Sequence, residues 1–294
     1  MGTAQITVIV PAYNESMVIG ATLAPLAQAA ADGYFEVIVV PNNCSDETAD
    51  HARRACPAAQ VIETRTPGKP NAINLGVQAA RGDALVFLDA DLAISVTAIE
   101  QLCAPILSGC SDASCGRMLA NLDGARLLVR RFYAGWALSP YHDKGKFGGV
   151  FALSAALAGR IFPIPDVIAD DEYISRMSPT ERTAFVPEAQ FTVFAPRRMS
   201  DLIKIRRRSR RGILQLEEMG LKTSERKTGG SSLRMVLGRA LTKPSIWAGV
   251  AVYAATIVFV RLTVRSSKVA PGKAQWERDD SSREGRGSLS GSES

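Results

Sequence analysis

The chain has 294 residues with a formal net charge of +6, which fits one large domain or one domain with a small appendage. Its apolar fraction of 46% and charged fraction of 22% exclude a chain that is mostly disordered. Five cysteines at spacings that match no zinc motif exclude a disulfide framework and predict free thiols in a reducing compartment. The first residues run directly into a strand pattern and predict no signal peptide.

The first 110 residues alternate between short apolar runs and helical periodicity. Strands are predicted over residues 5–10, 35–40, 60–63 and 84–88, and helices over 16–32, 46–55, 70–80 and 96–107. Strands that alternate with helices favour βαβ units around a mostly parallel sheet. Ligands of such sheets bind beyond the carboxyl ends of the strands.

The second half of the chain is less regular. We predict a helix over residues 126–139, a strand over 149–154, a short helix over 170–177, strands within 184–194 and a basic helix over 201–219. Its basic run of Arg206, Arg207, Arg208, Arg210 and Arg211 favours a phosphate-bearing partner or an anionic membrane surface.

The apolar segment 246–260 is short for a membrane span. A transmembrane helix, an interfacial helix and a buried core helix remain alternatives, with membrane association favoured. We divide the chain into a catalytic domain 1–220 (halves 1–110 and 111–220), a linker with an amphipathic helix 221–242, an apolar helix 243–268 and a disordered tail 269–294.

Polar clusters follow each of the first four predicted strands. Asp89 and Asp91 come directly after the buried run 84–88. Hard divalent cations prefer oxygen ligands, and diphosphates are commonly held through Mg²⁺ or Mn²⁺ by one or two carboxylates. The two aspartates therefore predict a metal site, with the choice between Mg²⁺ and Mn²⁺ left open.

Four strings in this order, VPAYNE, NNCSDET, GKPNAINLG and FLDADL, resemble glycosyltransferase family 2. The resemblance covers about residues 5–215 and implies the GT-A fold, a nucleotide-binding α/β/α sandwich with a mostly parallel sheet. It further implies an enzyme that uses a nucleotide-sugar donor and a divalent metal.

The resemblance assigns the donor-side residues by position. Pro11, Tyr13 and Glu15 match the loop that lines the nucleoside pocket. Asn43 stands where the family has a base-contacting aspartate, and its amide can still donate and accept at a pyrimidine edge. Lys69 matches a basic position near the nucleotide.

The same resemblance places Asp89 near the ribose and the metal, and makes Asp91 the direct metal ligand. On the acceptor side it matches Gly148 and Gly149 to a segment beside the acceptor. Asp170 and Asp171 match the acidic pair that supplies the catalytic base in inverting transfer, with Asp171 as the predicted base.

The basic helix departs from the family pattern. Membrane-bound relatives carry Gln-x-x-Arg-Trp here, whereas this chain has Ile205, Arg208 and Ser209 at the three defined positions. Arg208 can still reach the diphosphate of the donor. The missing glutamine and tryptophan disfavour a processive polysaccharide synthase and favour transfer of one or a few sugars.

The predicted function is an inverting glycosyltransferase that uses a nucleotide diphosphate sugar, UDP-sugar foremost, and a hydroxyl acceptor, for which a lipid-linked molecule is one candidate. Two alternatives remain, a nucleotidyltransferase and a non-catalytic nucleotide-sugar-binding protein. A dehydrogenase and a P-loop enzyme are disfavoured by the missing glycine-rich motifs, and no nucleic-acid partner is expected. The predicted location is the membrane, with the catalytic domain on its cytoplasmic face.

Overall fold

The structure, a computed structural model, describes residues 4–139, 141–221, 236, 238 and 246–264. Within these ranges the strands are β1 (Ile6–Ala12), β2 (Phe35–Pro41), β3 (Gln60–Val61), β4 (Ala84–Leu88), β5 (Leu92–Ile94), β6 (Ala113–Asn121), β7 (Val150–Ser154) and β8 (Thr183–Phe194). The helices are α1 (Ile19–Leu23), α2 (Ala27–Ala31), α3 (Thr48–Ala55), α4 (Lys69–Ala79), α5 (Val96–Leu107), α6 (Leu127–Trp136), α7 (Tyr141–Lys144), α8 (Ala155–Ile161), α9 (Asp170–Met177), α10 (Met199–Glu218) and α11 (Trp247–Thr263).

The strands form one sheet in the order β3-β2-β1-β4-β7-β6-β8-β5. The pairs β2–β3, β1–β2, β1–β4 and β6–β8 are parallel. Strand β7 runs antiparallel to β4 and β6, and β5 runs antiparallel to β8. The predicted mostly parallel sheet is therefore correct for the described chain, with two reversed strands in its second half.

The sheet is covered on both faces. Successive residues of β1 point to opposite sides, so that Val8 and Val10 enter one core cluster and Ile9 enters another. The first cluster is covered by α1, α2, α3 and α5, and the second by α4, α8 and α9. This arrangement is the predicted three-layer sandwich, because a parallel strand that is apolar throughout needs helices on both sides.

The predicted helix over 16–32 is wrong in its continuity. The chain instead forms α1, a 3-10 turn over Ala24–Leu26 and α2. Pro25 is in the first turn of this 3-10 segment. A proline lacks the N–H that would continue the α-helical ladder, so the helix is interrupted there.

Helix α11 packs along α6 at close range. A Cβ atom on Gly135 would lie 2.5 Å from the carbonyl oxygen of Gly249, and one on Gly249 would lie 2.8 Å from that of Arg131. Tyr253 of α11 also meets the ring of Phe132. The two glycines therefore let the helix backbones approach, and one side of α11 is buried against α6.

Helices α6 and α11 also expose large apolar side chains to solvent. The exposed set is Leu127, Leu128, Trp247, Val258, Phe259 and Leu262. Helix α11 has 17 residues. Within the described ranges, no helix combines the length and apolar character needed to cross a lipid bilayer. The predicted amphipathic helix within 221–242 and the predicted tail 269–294 lie outside the described residues, apart from 221, 236 and 238.

Candidate active site

The carboxyl ends of β1 and β2 are joined by Asn42, a buried residue directly after β2. Its backbone N–H and its side-chain Nδ2 both donate to the Ala12 carbonyl, at 2.8 and 2.9 Å. Its Oδ1 accepts from the N–H of Gly68, just before α4, at 3.2 Å. One buried amide thus fixes the relative positions of three loops, as a buried polar group must find partners.

The predicted nucleoside loops lie together at this edge. Pro11 is buried at the end of β1, Tyr13 is half-buried and Glu15 is buried, with its N–H donating to Thr48 Oγ1 at 2.7 Å. Asn43 is exposed with a positive φ of 49°, and its N–H donates to the Thr64 carbonyl at 2.7 Å. The Asn43 side chain is therefore presented to solvent beside the loop after β1.

Asp46 fastens the start of α3 to the loop after β1. Burial by itself raises the pKa of Asp46, but hydrogen bonds from Thr48 and Ser16 outweigh burial and hold that pKa below its ordinary value. The carboxylate accepts from the Ser16 N–H at 3.2 Å and from Thr48 through both its N–H and its hydroxyl. A charged acceptor at this position stiffens the loops on which Tyr13 and Asn43 lie.

Lys69, which the resemblance matched to a basic position near the nucleotide, lies between the turn after β4 and the start of α9. Its ammonium lies 2.8 Å from Asp89 Oδ1 and 3.0 Å from Asp170 Oδ2. Burial lowers the pKa of Lys69, but the facing carboxylates of Asp170 and Asp89 overcome burial and raise it above its ordinary value. Lys69 is therefore a fixed positive charge that links β4 to α9.

Asp170 and Asp171 begin α9 in different surroundings. Asp170 is buried, and this burial raises the pKa of its carboxyl while the Lys69 ammonium opposes the rise. Asp171 is half-buried, and its Oδ1 accepts from the N–H of Glu172 at 2.7 Å. The two neighbouring aspartates thus differ, since one faces a cation in the interior and the other is half-buried and accepts from the N–H of the next residue.

A cleft joins several of the predicted residues. Its lining consists of Pro11, Lys69, Ile73, Phe87, Leu88, Asp89, Gly149, Phe151, Asp170 and Asp171. The carboxylates and the ammonium thus line a cleft with apolar walls, where electrostatic interactions are stronger than in water.

Gly149 supports this cleft through its backbone. The N–H of Asp89 donates to the Gly149 carbonyl at 2.9 Å. Gly149 has φ of 77°, and a Cβ there would lie 3.0 Å from Leu92 Cδ2. A side chain at this position would be strained by its backbone and crowded by its neighbour. Its neighbour Gly148 is half-buried and is not part of the cleft lining.

Thr22 holds the turn that carries Asp89 and Asp91. Its hydroxyl, buried in α1, lies 2.9 Å from the carbonyl oxygens of both Ala90 and Leu92, the two neighbours of Asp91. One shared hydroxyl proton therefore stabilises the backbone on both sides of Asp91. This contact fixes the direction in which the predicted metal ligand leaves the sheet.

The two aspartates fit a metal that binds together with the donor. Asp91 is half-buried, and Asp89 forms an ion pair with Lys69 through its Oδ1. In the described part of the chain, no group of three or more His, Cys, Asp or Glu side chains forms a metal cage. One or two carboxylates completed by substrate phosphates is an ordinary arrangement for Mg²⁺ or Mn²⁺ with nucleotides.

Replacing Thr22 with valine is expected to weaken metal-dependent donor binding by about 10–100-fold, the usual effect of losing a group that orients a ligand. Valine keeps the shape of the side chain and removes the hydrogen bonds to the turn. The measurement is calorimetric titration of the donor with Mn²⁺. The matched control is Thr7→Val, which removes a buried hydroxyl bonded to Glu36 and Gly82 at the far end of β1. Equal donor binding by both variants would contradict a positioning role for Thr22.

Helix α10 approaches the site through its side that carries Gly212 and Gln215. A Cβ on Gly212 would lie 2.6 Å from Cβ of Ala169, the residue before Asp170. Gln215 Oε1 accepts from the N–H of Ile168 at 2.8 Å. Arg208 is half-buried one helical turn before Gly212. It therefore shares the side of α10 that packs on the residues just before α9.

A buried ion pair anchors α9 behind the two aspartates. Arg176 Nε lies 3.0 Å from Glu172 Oε1, and both side chains are almost fully buried. Arg176 also donates to the Leu221 carbonyl just after α10, and Lys146 lies 3.8 Å from Glu172 Oε2. This network ties α9 to the end of α10.

The sequence predictions and the geometry overlap in part. The structure brings Pro11, Lys69, Asp89, Gly149, Asp170 and Asp171 into one cleft, whereas Tyr13, Glu15, Asn43, Asp91, Gly148 and Arg208 lie outside its lining. Sequence reasoning missed Thr22, Asn42 and the Glu172–Arg176 pair. An asparagine directly after an apolar strand was a usable sign for Asn42, but no local pattern marks Thr22.

The family model "Glycosyl transferase family 2" matches residues 7–154. The chain belongs to glycosyl transferase family 2. The resemblance that the four strings suggested is thereby confirmed.

Known proteins agree with this family and fold. Glycosyltransferase AglD of Haloferax volcanii is 35% identical over 120 residues, which are 38% of this chain and 19% of that protein. The chain matches each of its curated relatives over less than half of the relative's length.

Two solved structures share the fold. Glucosyl-3-phosphoglycerate synthase of Mycobacterium tuberculosis, in complex with Mn²⁺, UDP-glucose and phosphoglyceric acid, has a TM-score of 0.53 and 21% identity, covering 75% of this chain and 82% of that one. Mannosyltransferase PcManGT of Pyrobaculum calidifontis, in complex with GDP-Man and Mn²⁺, has a TM-score of 0.54 and 21% identity, covering 89% and 76%. The predicted GT-A-type fold is confirmed.

Proposed function

We propose that this chain is a metal-dependent, inverting glycosyltransferase that moves a sugar from a nucleotide diphosphate sugar to a hydroxyl acceptor. The observation that carries the proposal is the contact of the Lys69 ammonium with both Asp89 and Asp170. Through this contact Asp89, in the turn proposed to bind the donor, and Asp170, the candidate base, lie on either side of the Lys69 ammonium. Family membership and two solved neighbours with a nucleotide sugar and Mn²⁺ support the same chemistry.

The donor is proposed to lie at the carboxyl ends of β1, β2 and β4, with its diphosphate toward Asp91. Asp89 and Asp91 would hold a divalent cation, which neutralises the charge that develops on the leaving diphosphate. The Asn43 amide can donate and accept at a pyrimidine edge, which favours UDP over GDP. Arg208 supplies a further positive charge from the side of α10 nearest Asp170.

We assign the base to Asp170 in preference to its neighbour Asp171. Inverting transfer is a single displacement in which a carboxylate takes the proton of the attacking hydroxyl. Asp170 contacts the Lys69 ammonium in the cleft, whereas Asp171 accepts a hydrogen bond from the Glu172 N–H through its Oδ1. The Lys69 ammonium opposes the rise in the pKa of Asp170 that burial causes, and thereby favours the ionised form of the carboxyl group.

The acceptor is proposed to be lipid-linked or held at a membrane surface, with the chain at the cytoplasmic face. Support comes from the apolar side chains that α6 and α11 expose. Four exposed arginines, Arg126, Arg130, Arg131 and Arg261, accompany them, and neither helix contains an acidic residue. Apolar side chains flanked by arginines suit the interface of an anionic bilayer.

The proposal is tested by measuring nucleoside diphosphate release from a panel of UDP-, GDP- and dTDP-sugars, with and without Mn²⁺, in the presence of membrane lipid extract. We expect release from one donor, stimulated by Mn²⁺ and by an acceptor in the extract. Pyrophosphate release from a nucleoside triphosphate would indicate a nucleotidyltransferase instead. Absence of turnover and of sugar-nucleotide binding by the folded protein would overturn the proposal.

Replacing Lys69 with methionine is expected to move the acid limb of the pH–rate profile upward by about one to three pH units. Without the ammonium, burial and the nearby carboxylates of Asp171 and Asp89 act on Asp170 unopposed, so its pKa rises further and the base is ionised only at higher pH. The measurement is turnover of the preferred donor as a function of pH. Lys146→Met is the control, since it removes an equal charge that contacts Glu172 and not Asp170. An unchanged acid limb in Lys69→Met would contradict this role.

A further inference from the structure

Helix α10 presents two different arginine faces. At about 100° per residue, Arg206, Arg207 and Arg210 share one face of the helix. Arg208 lies on a different side, which it shares with Gly212 and which packs on the residues just before α9. On the face with three arginines, Arg206 packs on α6, where its guanidinium lies over the rings of Phe132 and Trp136, at 5.0 and 5.6 Å from the ring centres. The proposed donor site does not use this face.

The three guanidinium groups on this face have no anionic partner in the described part of the chain. All three side chains are half-buried, and their Nε atoms are buried without a hydrogen-bond partner there. No ion pair joins any of them to a described carboxylate. Burying guanidinium N–H groups without an acceptor is costly, so such a group calls for a ligand.

A further orphaned polar atom lies close in the chain to the same aromatic rings. Ser139 is buried, and its Oγ has no hydrogen-bond partner in the described ranges. The N–H of Ser139 donates to the Trp136 carbonyl at 2.8 Å, which keeps this serine beside the tryptophan under Arg206. A buried hydroxyl that can donate to an anion thus lies three residues along the chain from Trp136, whose ring is beneath Arg206.

From these contacts we infer that Arg206, Arg207 and Arg210 form a binding site for a phosphate group. Guanidinium groups match phosphate oxygens in geometry, and three positive charges suit a phosphomonoester better than a single carboxylate. The phosphate belongs to a lipid headgroup or to a soluble phosphomonoester. The inference does not depend on sugar transfer, because the site is tested by binding alone.

The test variant is Arg207→Gln with Arg210→Gln, which spares the packing of Arg206 on Phe132 and Trp136. The control is Arg54→Gln with Arg160→Gln, which removes the same charge from exposed positions on α3 and α8. The full chain is titrated with glycerol 3-phosphate and inorganic phosphate by calorimetry. In a second arm, it is sedimented with phosphatidylcholine vesicles with and without phosphatidic acid.

We expect saturable phosphate binding in at least one arm, weakened about 100-fold in the test variant and unchanged in the control. Binding of the soluble phosphates identifies a small ligand, and binding of phosphatidic acid vesicles alone identifies a lipid headgroup. The melting temperature of the test variant should stay at or above that of the wild type, because no internal partner is lost. No binding in either arm, equal loss in both variants, or a lower melting temperature with full binding would each overturn the inference.

Discussion

Replacing Asp170 with asparagine is expected to lower turnover by about 10²–10⁴-fold, the usual contribution of a positioned general base. Asparagine keeps the size of the side chain but cannot take a proton. The Lys69 ammonium retains its contact with Asp89, so the cleft should keep its shape. The measurement is turnover at saturating donor, with donor binding measured alongside to separate chemistry from affinity.

The neighbouring residue provides the matched control for this prediction. Asp171→Asn should lose less than about tenfold in turnover, because the proposed base remains and an asparagine oxygen can still accept from the Glu172 N–H. The reverse order, with Asp171→Asn the more damaging change, would return the role of base to Asp171, as the motif resemblance first suggested. Equal and small losses in both variants would contradict a base on α9.

Replacing Asp91 with alanine is expected to abolish the Mn²⁺ dependence of donor binding and to weaken that binding by more than about 100-fold. With a small ligand set, the loss of one carboxylate leaves too few protein ligands to hold the cation, so the remaining donor binding occurs without metal. The residual binding should be insensitive to chelators. Calorimetric titration of the donor with and without Mn²⁺ measures both effects.

An exposed aspartate away from the site serves as the control for Asp91. Asp123→Ala removes a carboxylate in the loop between β6 and α6 and should leave Mn²⁺-dependent binding unchanged. If Asp91→Ala retained the full Mn²⁺ effect, the metal would be held elsewhere. The role of the turn after β4 would then be limited to Asp89 and its contact with Lys69.

Helices and strands whose boundaries are marked by nearby residues were predictable from the sequence. Strand β4 and helices α5 and α9 have the predicted bounds. Helix α5 has an explicit start, since Ser95 Oγ accepts from the Ala98 N–H, and β4 is a continuous apolar run between polar residues. Such patterns state where an element begins and which faces it buries.

Elements determined by distant pairing were missed. Strand β6 contains a glycine, an arginine and an asparagine and has no apolar alternation to announce it. It exists because it pairs in parallel with β8 and antiparallel with β7. Strand β5 has three residues and likewise owes its form to β8. Local propensity is weak evidence for a strand whose partners are remote in sequence.

The chemistry of the site was predictable by residue type more than by arrangement. The motifs indicated Lys69, Asp89, Asp170 and Asp171, but only the packing of α4 against β4 and α9 reveals that Lys69 joins Asp89 to Asp170. The difference between the adjacent aspartates arises from burial, which one sequence does not display. The hydroxyl of Thr22 donates to the carbonyl of Ala90, in the turn that carries Asp89 and Asp91. The two residues are 68 positions apart in the chain, and no spacing rule predicts such a contact.

Calorimetric titration of the wild-type protein with UDP-, GDP- and dTDP-sugars, with and without Mn²⁺, tests the central claim most directly. The account predicts saturable binding of one sugar nucleotide, UDP-linked, that Mn²⁺ strengthens, and an affinity in Asp91→Ala that is more than about 100-fold lower and independent of Mn²⁺. Absence of binding to every sugar nucleotide, with the protein folded and Mn²⁺ present, would contradict the account. The ion pairs of Lys69 with Asp89 and Asp170 would then have a structural role and not a catalytic one.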